Sequence, residues 1–364
     1  MKKLLFAITM LLPAIVLVGQ KLTKTENVIL ITLDGMRWQE VFGGAELRLI
    51  NNKKFANDTT ALKKLYWAES PGERREKLMP FFWHVIAAQG QLYGNRNLGN
   101  KVNTTNKMWF SYPGYNEILT GSADDERITS NDKIDNPNKN VLEFINQQKG
   151  WKGKVVAFTS WDNFPWIINT KRNGLLVNSG LMKAESNPNE REKLMNELMF
   201  QLPMGSTRLD GLTFHYAFEY LKKNKPGVVY LSFDETDHFA HEGAYDRYLT
   251  SAHYIDGFIK TLWEWAQSQP GYKDKTTLII TADHGRGNNN EEDWKHHGSK
   301  MPDADQIWMA ILGPDTPVLG EVKNEQQLYQ NQVAKTLAAF LGFDYSNDGK
   351  KAGDVIPSAM NSHR

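Results

Sequence analysis

Short apolar runs, rich in β-branched and aromatic residues, alternate along this chain with stretches of helical periodicity. The runs are too short for buried helices and contain few polar residues, which is typical of strands that are buried on both faces. The predicted strands are residues 27–33, 154–159, 228–233, 276–282 and 306–312. This alternation predicts an α/β fold with a mainly parallel central sheet and helices on both of its faces.

Three predicted helices lie between or after these strands, at about residues 212–223, 245–267 and 326–341. The second carries an apolar stripe at helical spacing, formed by Tyr248, Ala252, Ile255, Ile259 and Leu262. The polar stretches 44–75, 121–140 and 183–210 interrupt the alternation and predict cap-like insertions. Because no internal repeat or low-complexity linker divides the chain, we expect one catalytic domain over residues 20–364.

The first residues predict a signal peptide. A short basic start is followed by an apolar run over residues 4–18, and polar sequence begins after Gly19. The run is too short for a comfortable membrane-spanning helix, so we expect cleavage after about residue 19; an uncleaved N-terminal anchor is the alternative. We therefore expect a periplasmic or secreted protein with no stable membrane anchor after cleavage.

Composition excludes several classes of protein. The chain has no cysteine, which excludes disulfides, thiol catalysis, cysteine zinc sites and lipid attachment to a cysteine. Its 43 basic side chains are balanced by 42 acidic ones, and a nucleic-acid-binding protein would usually be more basic. We therefore expect a small-molecule partner and no binding to a nucleic-acid polymer; the oligomeric state stays open.

Three of the predicted strands end in aspartate: Asp34, Asp234 and Asp283. In an open α/β sheet, ligands bind beyond the carboxyl ends of the strands, so these carboxylates should meet at one edge. Clustered carboxylates repel one another unless cations balance them. The arrangement predicts a metal site.

Histidines are concentrated in the same part of the chain. Six of the nine lie close together in sequence, at positions 238, 241, 253, 284, 296 and 297. Neutral imidazole together with carboxylate suits zinc or a similar ion. We interpret His253 as structural, whereas His241 is open to a supporting role or a contact with substrate.

A hydroxyl nucleophile is available at Ser111. Pro113 suits the first turn of a helix and Gly121 suits its end, which places Ser111 at the helix N-terminus. Backbone N–H groups and the helix dipole favour an anion there. A plain N-cap is the alternative interpretation of this serine.

Together these motifs resemble the alkaline phosphatase superfamily, and most closely its type I phosphodiesterase/nucleotide pyrophosphatase branch. The matching pieces are Asp34-Gly35, Ser111-Tyr112-Pro113 with Thr120-Gly121, Asp234 with His238, Asp283-His284-Gly285, His297-Gly298 and the tail over residues 332–342. The metal-dependent phosphoglycerate mutases are more distant relatives. The resemblance extends from about residue 26 to residue 343.

The resemblance implies two divalent ions, usually zinc, and a phosphoserine intermediate. It assigns Asp234, His238 and His297 to one ion, and Asp34, Asp283 and His284, together with Ser111, to the other. His296 is the alternative to His297, which is preferred because Gly298 follows it directly. Ser111 would attack phosphorus, and water would then hydrolyse the phosphoserine.

The chain also departs from that branch. Its nucleophile is serine where the branch usually has threonine, and Gly114 replaces an asparagine that commonly contacts phosphate, with Asn116 as a substitute. Lys171 and Arg172 are either a clamp for the doubly charged phosphate of a monoester or a solvated pair. No arginine completes a sulfatase pattern after Ser111, which argues against arylsulfatase activity.

The predicted activity is therefore that of a phosphoric ester hydrolase of the phosphodiesterase or nucleotide pyrophosphatase type. An alkaline-type phosphomonoesterase with the same site is the alternative. A silent metal- or phosphate-binding protein and a phosphotransferase acting on envelope components are alternatives from other classes.

Overall fold

The computed structural model describes residues 23–184, 187–201, 205–347, 349 and 352–361. The predicted signal peptide lies outside the described residues. Within them, no helix has both the length and the apolar character needed to cross a bilayer.

The described residues form eleven strands and fourteen α-helices. The strands are β1 (Asn27–Leu33), β2 (Gln91–Tyr93), β3 (Asn100–Asn103), β4 (Val155–Thr159), β5 (Leu176–Ser179), β6 (Val228–Phe233), β7 (Thr276–Thr281), β8 (Gln306–Ile307), β9 (Met309–Leu312), β10 (Gly320–Glu321) and β11 (Gln326–Tyr329). The α-helices are α1 (Trp38–Gly43), α2 (Leu47–Asn51), α3 (Thr59–Tyr66), α4 (Pro71–Leu78), α5 (Ala87–Gln89), α6 (Ser111–Thr120), α7 (Val141–Asn146), α8 (Phe164–Ile167), α9 (Thr170–Asn173), α10 (Glu190–Leu198), α11 (Asp210–Asn224), α12 (Glu235–His241), α13 (Tyr245–Ser268) and α14 (Gln332–Phe340). A π-helical turn covers Phe82–Ile86 and precedes α5.

A central sheet of eight strands has the order β10-β2-β9-β7-β1-β6-β4-β5. All its strands run in one direction except β9, which is antiparallel to both β7 and β2. Strand β1 lies between β6 and β7 and is parallel to both. A small second sheet has the order β11-β3-β8. The predicted α/β class with a mainly parallel sheet is confirmed.

Burial explains why these segments are strands. Every residue of β1, β4, β6 and β7 is buried, so side chains that point to opposite faces of the sheet are both covered. The predicted stripe on α13 is buried as well. The centre of the sheet is therefore a two-sided core, and its strand ends are fixed in position.

Two predicted elements differ from the structure. The single strand predicted over 306–312 is two strands divided at Trp308, because β8 pairs with β3 in the small sheet and β9 pairs with β7 in the large one. The helix predicted from residue 326 begins only at Gln332. Residues 326–329 instead form β11, which pairs in parallel with β3.

Candidate active site

The three predicted aspartates lie at one edge of the sheet, just after the carboxyl ends of three neighbouring strands. Asp34 follows β1 directly, Asp234 follows β6 directly, and Asp283 comes two residues after the end of β7. Because β1 lies between β6 and β7 and all three strands are parallel, their carboxyl ends are adjacent. The edge that was expected to bind ligand therefore carries a concentration of acid side chains.

One close group of potential metal ligands contains Asp34, Asp283 and His284, whose ligand atoms all lie within 4.8 Å of one another. Nε2 of His284 is 3.3 Å from Oδ1 of Asp34 and 3.5 Å from Oδ2 of Asp283. All three side chains are buried. None of these three atoms has a hydrogen-bond partner in the described part of the chain.

The protonation of His284 makes the group suitable for a cation. Nδ1 lies 2.9 Å from the carbonyl oxygen of Gly285, which can only accept, so Nδ1 holds the proton and Nε2 has a free lone pair. Burial lowers the pKa of His284 to about 4, so the ring is neutral. Burial, followed by neighbouring carboxylates, raises the pKa of Asp34 and of Asp283 well above the ordinary value. Three converging acceptor atoms fit a divalent ion, whose charge would keep both carboxyls ionised.

A second group lies beside the first and contains Asp237, His241 and His297. Nε2 of His241 is 2.8 Å from Nε2 of His297 and 3.3 Å from Oδ2 of Asp237. Nδ1 of His297 lies 3.2 Å from the carbonyl oxygen of Trp109, which leaves its Nε2 without a proton. Asp237 and His297 also form a close group of potential ligands with His284, so the two groups adjoin.

The structure does not place Asp234 and His238 in these close groups. Nε2 of His238 lies 3.2 Å from Glu242, and the carboxyl of Asp234 accepts a hydrogen bond from Thr207. Burial, followed by the charges of Asp34 and Asp237, raises the pKa of Asp234 well above its ordinary value, so its carboxyl is near these two carboxylates although it is outside the close groups. The geometry offers Asp237 and His241 in place of the pair that the resemblance assigned.

The choice between the two adjacent histidines is also visible in the geometry. His297 turns its ring against that of His284, with ring centroids 4.0 Å apart, whereas His296 is exposed. Of the two, His297 is the one in a close group of ligand atoms.

Arg286 is a buried cation at this site that the sequence analysis missed. It pairs with the carboxylate of Asp237 and donates to the carbonyl oxygens of Gly35 and Lys295. Burial opposes ionisation of Asp237, but Arg286 and the histidines hold its pKa well below the ordinary value. Gly35 has φ +56°, and a Cβ there would lie 2.9 Å from the guanidinium. A glycine is therefore required where the arginine enters the site.

Ser111 is the first residue of α6 and is buried. Its helix packs directly on the acid cluster: Tyr115 donates to Oδ2 of Asp34 at 2.8 Å, and a Cβ on Gly114 would lie 2.3 Å from the carbonyl oxygen of Asp283. The glycine that departs from the family pattern is thus the residue that allows this close approach. The helix N-terminus is placed beside the carboxylates, as expected for a nucleophile.

Asn131 is a second residue that the sequence analysis missed. Its Oδ1 accepts the backbone N–H of Tyr112 at 2.9 Å, and its own carbonyl oxygen accepts from Asn163 at 2.5 Å. The N–H of Tyr112 is one of the unpaired donors of the first helical turn. The amide of Asn131 therefore lies next to Ser111.

The three predicted substrate-binding residues have other partners. Asn116 is fully buried, donates to the carbonyl oxygen of Ser122 and accepts from Asn136 and Asn138. This placement gives it a role in holding loops together, in contrast to the predicted contact with phosphate.

Arg172 and Lys171 do not form the predicted clamp in this structure. Arg172 makes a bidentate pair with Glu143 and donates to the carbonyl oxygens of Asn136 and Asn138. Lys171 is 85 % exposed and lies 3.7 Å from Asp135. The guanidinium is held inside the protein by its hydrogen bonds to Glu143, Asn136 and Asn138, and the ammonium is solvated, as in the alternative interpretation of this pair.

Comparison with models of protein families matches residues 108–341 to type I phosphodiesterase / nucleotide pyrophosphatase. The match covers well over half of the 364 residues. The chain belongs to this family. The matched residues include Ser111 and both histidine-containing groups, whereas Asp34 precedes them. A comparison with curated proteins finds no match.

Several solved structures share the fold of this family member. The lipoteichoic acid synthase LtaP from Listeria monocytogenes matches with a TM-score of 0.55 and 13 % identity, over 92 % of this chain and 74 % of that one. The wild-type alkaline phosphatase PafA matches with a TM-score of 0.56 and 10 % identity, over 93 % and 99 % of the two chains. A phosphonate monoester hydrolase from Silicibacter pomeroyi matches with a TM-score of 0.51 and 12 % identity, over 87 % and 73 %.

The family supports a phosphoric ester hydrolase. The solved structures support an alkaline-phosphatase-like fold. Small-molecule phosphoesters are consistent with such a family as substrates. The superfamily typically depends on metal ions, and the described residues contain candidate groups of carboxylate and histidine ligands.

Proposed function

We propose that this protein is an exported phosphodiesterase that uses two divalent metal ions, most suitably zinc, and forms a phosphoserine intermediate at Ser111. One observation carries the proposal: three buried atoms, on Asp34, Asp283 and His284, converge without any hydrogen-bond partner among the described residues. Burying such groups is costly unless a cation balances them. The family membership supports the type of reaction.

Asp34, Asp283 and His284 would hold one ion, and Asp237, His241 and His297 would hold the other. The bound ions would supply charge stabilisation at the phosphoryl oxygens and would lower the pKa of the nucleophile. Arg286 would keep the carboxylate of Asp237 ionised and in position, because it donates to that carboxylate from a buried site.

Ser111 is well placed to attack phosphorus. Its oxygen would form the new P–O bond while the bond to the leaving alcohol breaks, and water would later hydrolyse the phosphoserine. The positive end of the α6 dipole would stabilise the anionic phosphoryl group, because Ser111 is the first residue of this helix. Tyr115 fixes the helix to Asp34, so nucleophile and ligands form one rigid unit.

The surroundings favour a diester over a monoester. A monoester carries two charges and is usually held by free cationic side chains. The donors of Arg172 are used by Glu143 and two carbonyl groups, and those of Arg286 by Asp237 and the carbonyls of Gly35, Lys295 and Asp237 itself. Neither arginine is free to clamp a second phosphate charge.

Export rests on the sequence of residues 1–19, whose basic start and apolar run are typical of a signal peptide. Mass spectrometry of the protein recovered from the periplasm or medium tests this. We expect a mature N-terminus near Gln20. Recovery of the intact chain from the cytoplasm or the membrane would overturn the proposed export.

The test of the activity combines metal analysis with two chromogenic substrates, p-nitrophenyl phosphate and bis-p-nitrophenyl phosphate. We expect two zinc ions per chain and faster cleavage of the diester. Ser111→Ala should lower turnover by about a thousandfold or more while both ions remain bound. The exposed Ser268→Ala is the matched control and should behave as the wild type.

Other outcomes change the conclusion in defined ways. Faster cleavage of the monoester would make the protein a phosphomonoesterase. Metal binding without turnover of either substrate would make it a silent binding protein. Unchanged turnover in Ser111→Ala would remove Ser111 as the nucleophile.

A further inference from the structure

A cavity of about 400 Å³ opens between α1, the start of α2 and the segment that joins α3 to α4. Its walls include Trp38, Gln39, Gly43, Trp67, Asn97 and Asn288. None of these residues is used by the site described above. Two indoles and three amides, together with the charged side chains of Glu46, Arg48 and Arg74, therefore surround a space large enough for a small organic group.

The cavity is close to the proposed catalytic centre. Trp38 is four residues after Asp34, and Asn288 is four residues after His284, so each Cα lies within about 14 Å of the corresponding ligand residue. The indole N–H of Trp38 donates to Gln306 at 2.9 Å. The carbonyl oxygen of Gln306 in turn lies 2.2 Å from where a Cβ of Gly285 would be. The cavity and the cluster are thus formed in part by the same two segments of the chain, those that follow β1 and β7.

Both indoles are held in fixed orientations. Trp38 is tied through its N–H to Gln306. The guanidinium of Arg74 lies over the ring of Trp67, 4.5 Å from its centroid, and is itself fixed by the carbonyl oxygens of Gly43 and Ala68. Rigid aromatic faces of this kind offer apolar contact at little cost in conformational entropy.

The polar groups around the indoles have unused bonding capacity. Within the described residues, the side-chain amides of Gln39 and Asn97 make no hydrogen bond. Oδ1 of Asn288 accepts from Arg48 at 2.6 Å, whereas its Nδ2 makes no bond there. These amides present donors and acceptors in several directions around the aromatic walls.

The combination of rigid indole faces with surrounding amides favours a sugar over a hydrocarbon chain or a nucleobase. The ring faces of a sugar carry C–H groups that pack on an indole, and its hydroxyls point outward to donors and acceptors around the rim. A hydrocarbon chain would leave the amides buried and unpaired, which is costly. A nucleobase has polar groups only in its ring plane and would use fewer of them.

We propose that this cavity, the Trp38–Trp67 cavity, is a carbohydrate-binding subsite. It follows that the natural substrate is a phosphodiester in which one of the esterified alcohols belongs to a sugar. The inference rests on the proposed phosphodiesterase activity, which it deepens by naming the class of substrate.

Gly43 gives a way to block the cavity without distorting the backbone. A Cβ at this position would meet no atom within 4 Å, and its φ is outside the left-handed region. Gly43→Leu should therefore project a side chain into the Trp38–Trp67 cavity. Gly257, in the middle of α13, has the same open surroundings away from the cavity, so Gly257→Leu is a matched control.

The experiment is isothermal titration of the purified mature protein with maltotetraose, chitotetraose and a hyaluronan tetrasaccharide, and with AMP as the nucleobase probe. We expect at least one tetrasaccharide to bind the wild type and Gly257→Leu alike. Gly43→Leu should bind it at least about tenfold more weakly. Asn97→Ala, an exposed change that leaves the fold intact, should weaken binding about three- to tenfold.

The inference would be overturned if no tetrasaccharide binds the wild type, or if Gly43→Leu binds the tetrasaccharide as tightly as Gly257→Leu does. It would also be overturned if AMP is the only probe that binds the wild type and the Gly43→Leu change abolishes AMP binding. Ser111→Ala should keep the full affinity for the sugar. Sugar binding without hydrolysis of any phosphoester would thus overturn the proposed activity alone, and hydrolysis without sugar binding would overturn the subsite alone.

Discussion

Nε2 of His284 lies 3.3 Å from Oδ1 of Asp34, and both atoms are buried without a hydrogen-bond partner among the described residues. The ring proton is on the opposite nitrogen, bonded to the carbonyl oxygen of Gly285. Two acceptor atoms therefore face each other in a buried space, where a metal ion can satisfy both and the alternative is to protonate Asp34, whose pKa is raised by burial. This relationship implies that the site destabilises the protein when it is empty and stabilises it when an ion is bound.

Asp34→Asn should make the metal-free protein more stable than the wild type. The change removes a buried charge that is close to Asp237 and Asp283, while the amide oxygen still accepts the hydrogen bond of Tyr115. We expect a gain of about 1–2 kcal/mol in the free energy of unfolding in EDTA, because a neutral group replaces an unbalanced buried ion. Urea denaturation at pH 7.5 measures it.

Added zinc should make the wild type more stable than Asp34→Asn, which reverses the order of stability expected in EDTA. At one hundred times the dissociation constant, the wild type should gain about 2.7 kcal/mol, and Asp34→Asn should gain much less because one ligand is missing. A wild-type protein that is equally stable in EDTA and in zinc would contradict the proposed metal site.

His241→Ala and His238→Ala should behave differently although the two positions are three residues apart. His241 faces His297 and Asp237, so its removal should lower the bound zinc from two ions towards one and reduce turnover by about a hundredfold or more. His238 contacts Glu242, so its removal should leave both ions bound and turnover within about threefold. Elemental analysis of dialysed protein measures the ions, and loss of an ion in His238→Ala would restore the pair Asp234 and His238.

Arg172→Met should destabilise the protein without a specific loss of phosphate binding. Arg172 pairs with Glu143, which is almost fully buried, and removing the cation leaves that carboxylate unbalanced. We expect a loss of about 2–3 kcal/mol in the free energy of unfolding, below the value for a fully buried pair because the arginine is 28 % exposed. The matched change Lys171→Met should have almost no effect, since that side chain is 85 % exposed.

Kinetics separate this structural role from a phosphate clamp. KM for p-nitrophenyl phosphate and for its diester should stay close to the wild-type values in both variants at 20 °C. A selective rise of KM for the monoester in either variant would return that residue to the substrate site.

The sequence was sufficient to predict the candidate site residues that follow the end of a strand. Buried strands are visible as apolar runs, and the residue after each run is placed by the geometry of a parallel sheet. Asp34, Asp283 and the adjacent His284 were therefore predicted in positions where the structure brings them together.

Sequence spacing alone did not decide which pair provides metal ligands, Asp237 with His241 or Asp234 with His238. Both pairs have members four residues apart, so both can face one side of a helix. The choice depends on how α12 is rotated relative to β1 and β7, and tertiary packing determines that rotation. Arg286 was missed for a related reason: its partners, Asp237 and Gly35, are distant in the sequence.

Strand β11 shows that contacts between distant parts of the sequence also limit the prediction of the fold. Residues 326–329 precede a true helix and have no alternation of apolar and polar residues, so local sequence extended the helix over them. Their pairing with β3, which is more than 200 residues away, makes them a strand. Contacts of this kind override local propensity.

The pH dependence of stability should include a contribution from Asp256, which lies far from the proposed metal ligands in sequence. Its carboxylate accepts the backbone N–H groups of Phe81 and Phe82 at 2.8 Å each. Burial raises the pKa of Asp256 from its ordinary value of 3.8 to about 6, although these two hydrogen bonds and the nearby His253 and His84 act in the opposite direction. The folded pKa is the higher one, so the stabilising contribution is complete below about pH 3.8 and is lost as the pH rises through 6.

Asp256→Asn removes this ionisation and one hydrogen-bond acceptor. The lost acceptor gives a penalty that does not change with pH, whereas the wild type alone should lose about 1 kcal/mol of unfolding free energy between pH 5 and pH 8. The stability gap between the two proteins should therefore narrow by that amount, as measured by urea denaturation in EDTA at four pH values. The exposed Asp274→Asn should follow the wild type throughout. A gap that is constant with pH would show that Asp256 is already ionised at pH 5 in the folded protein.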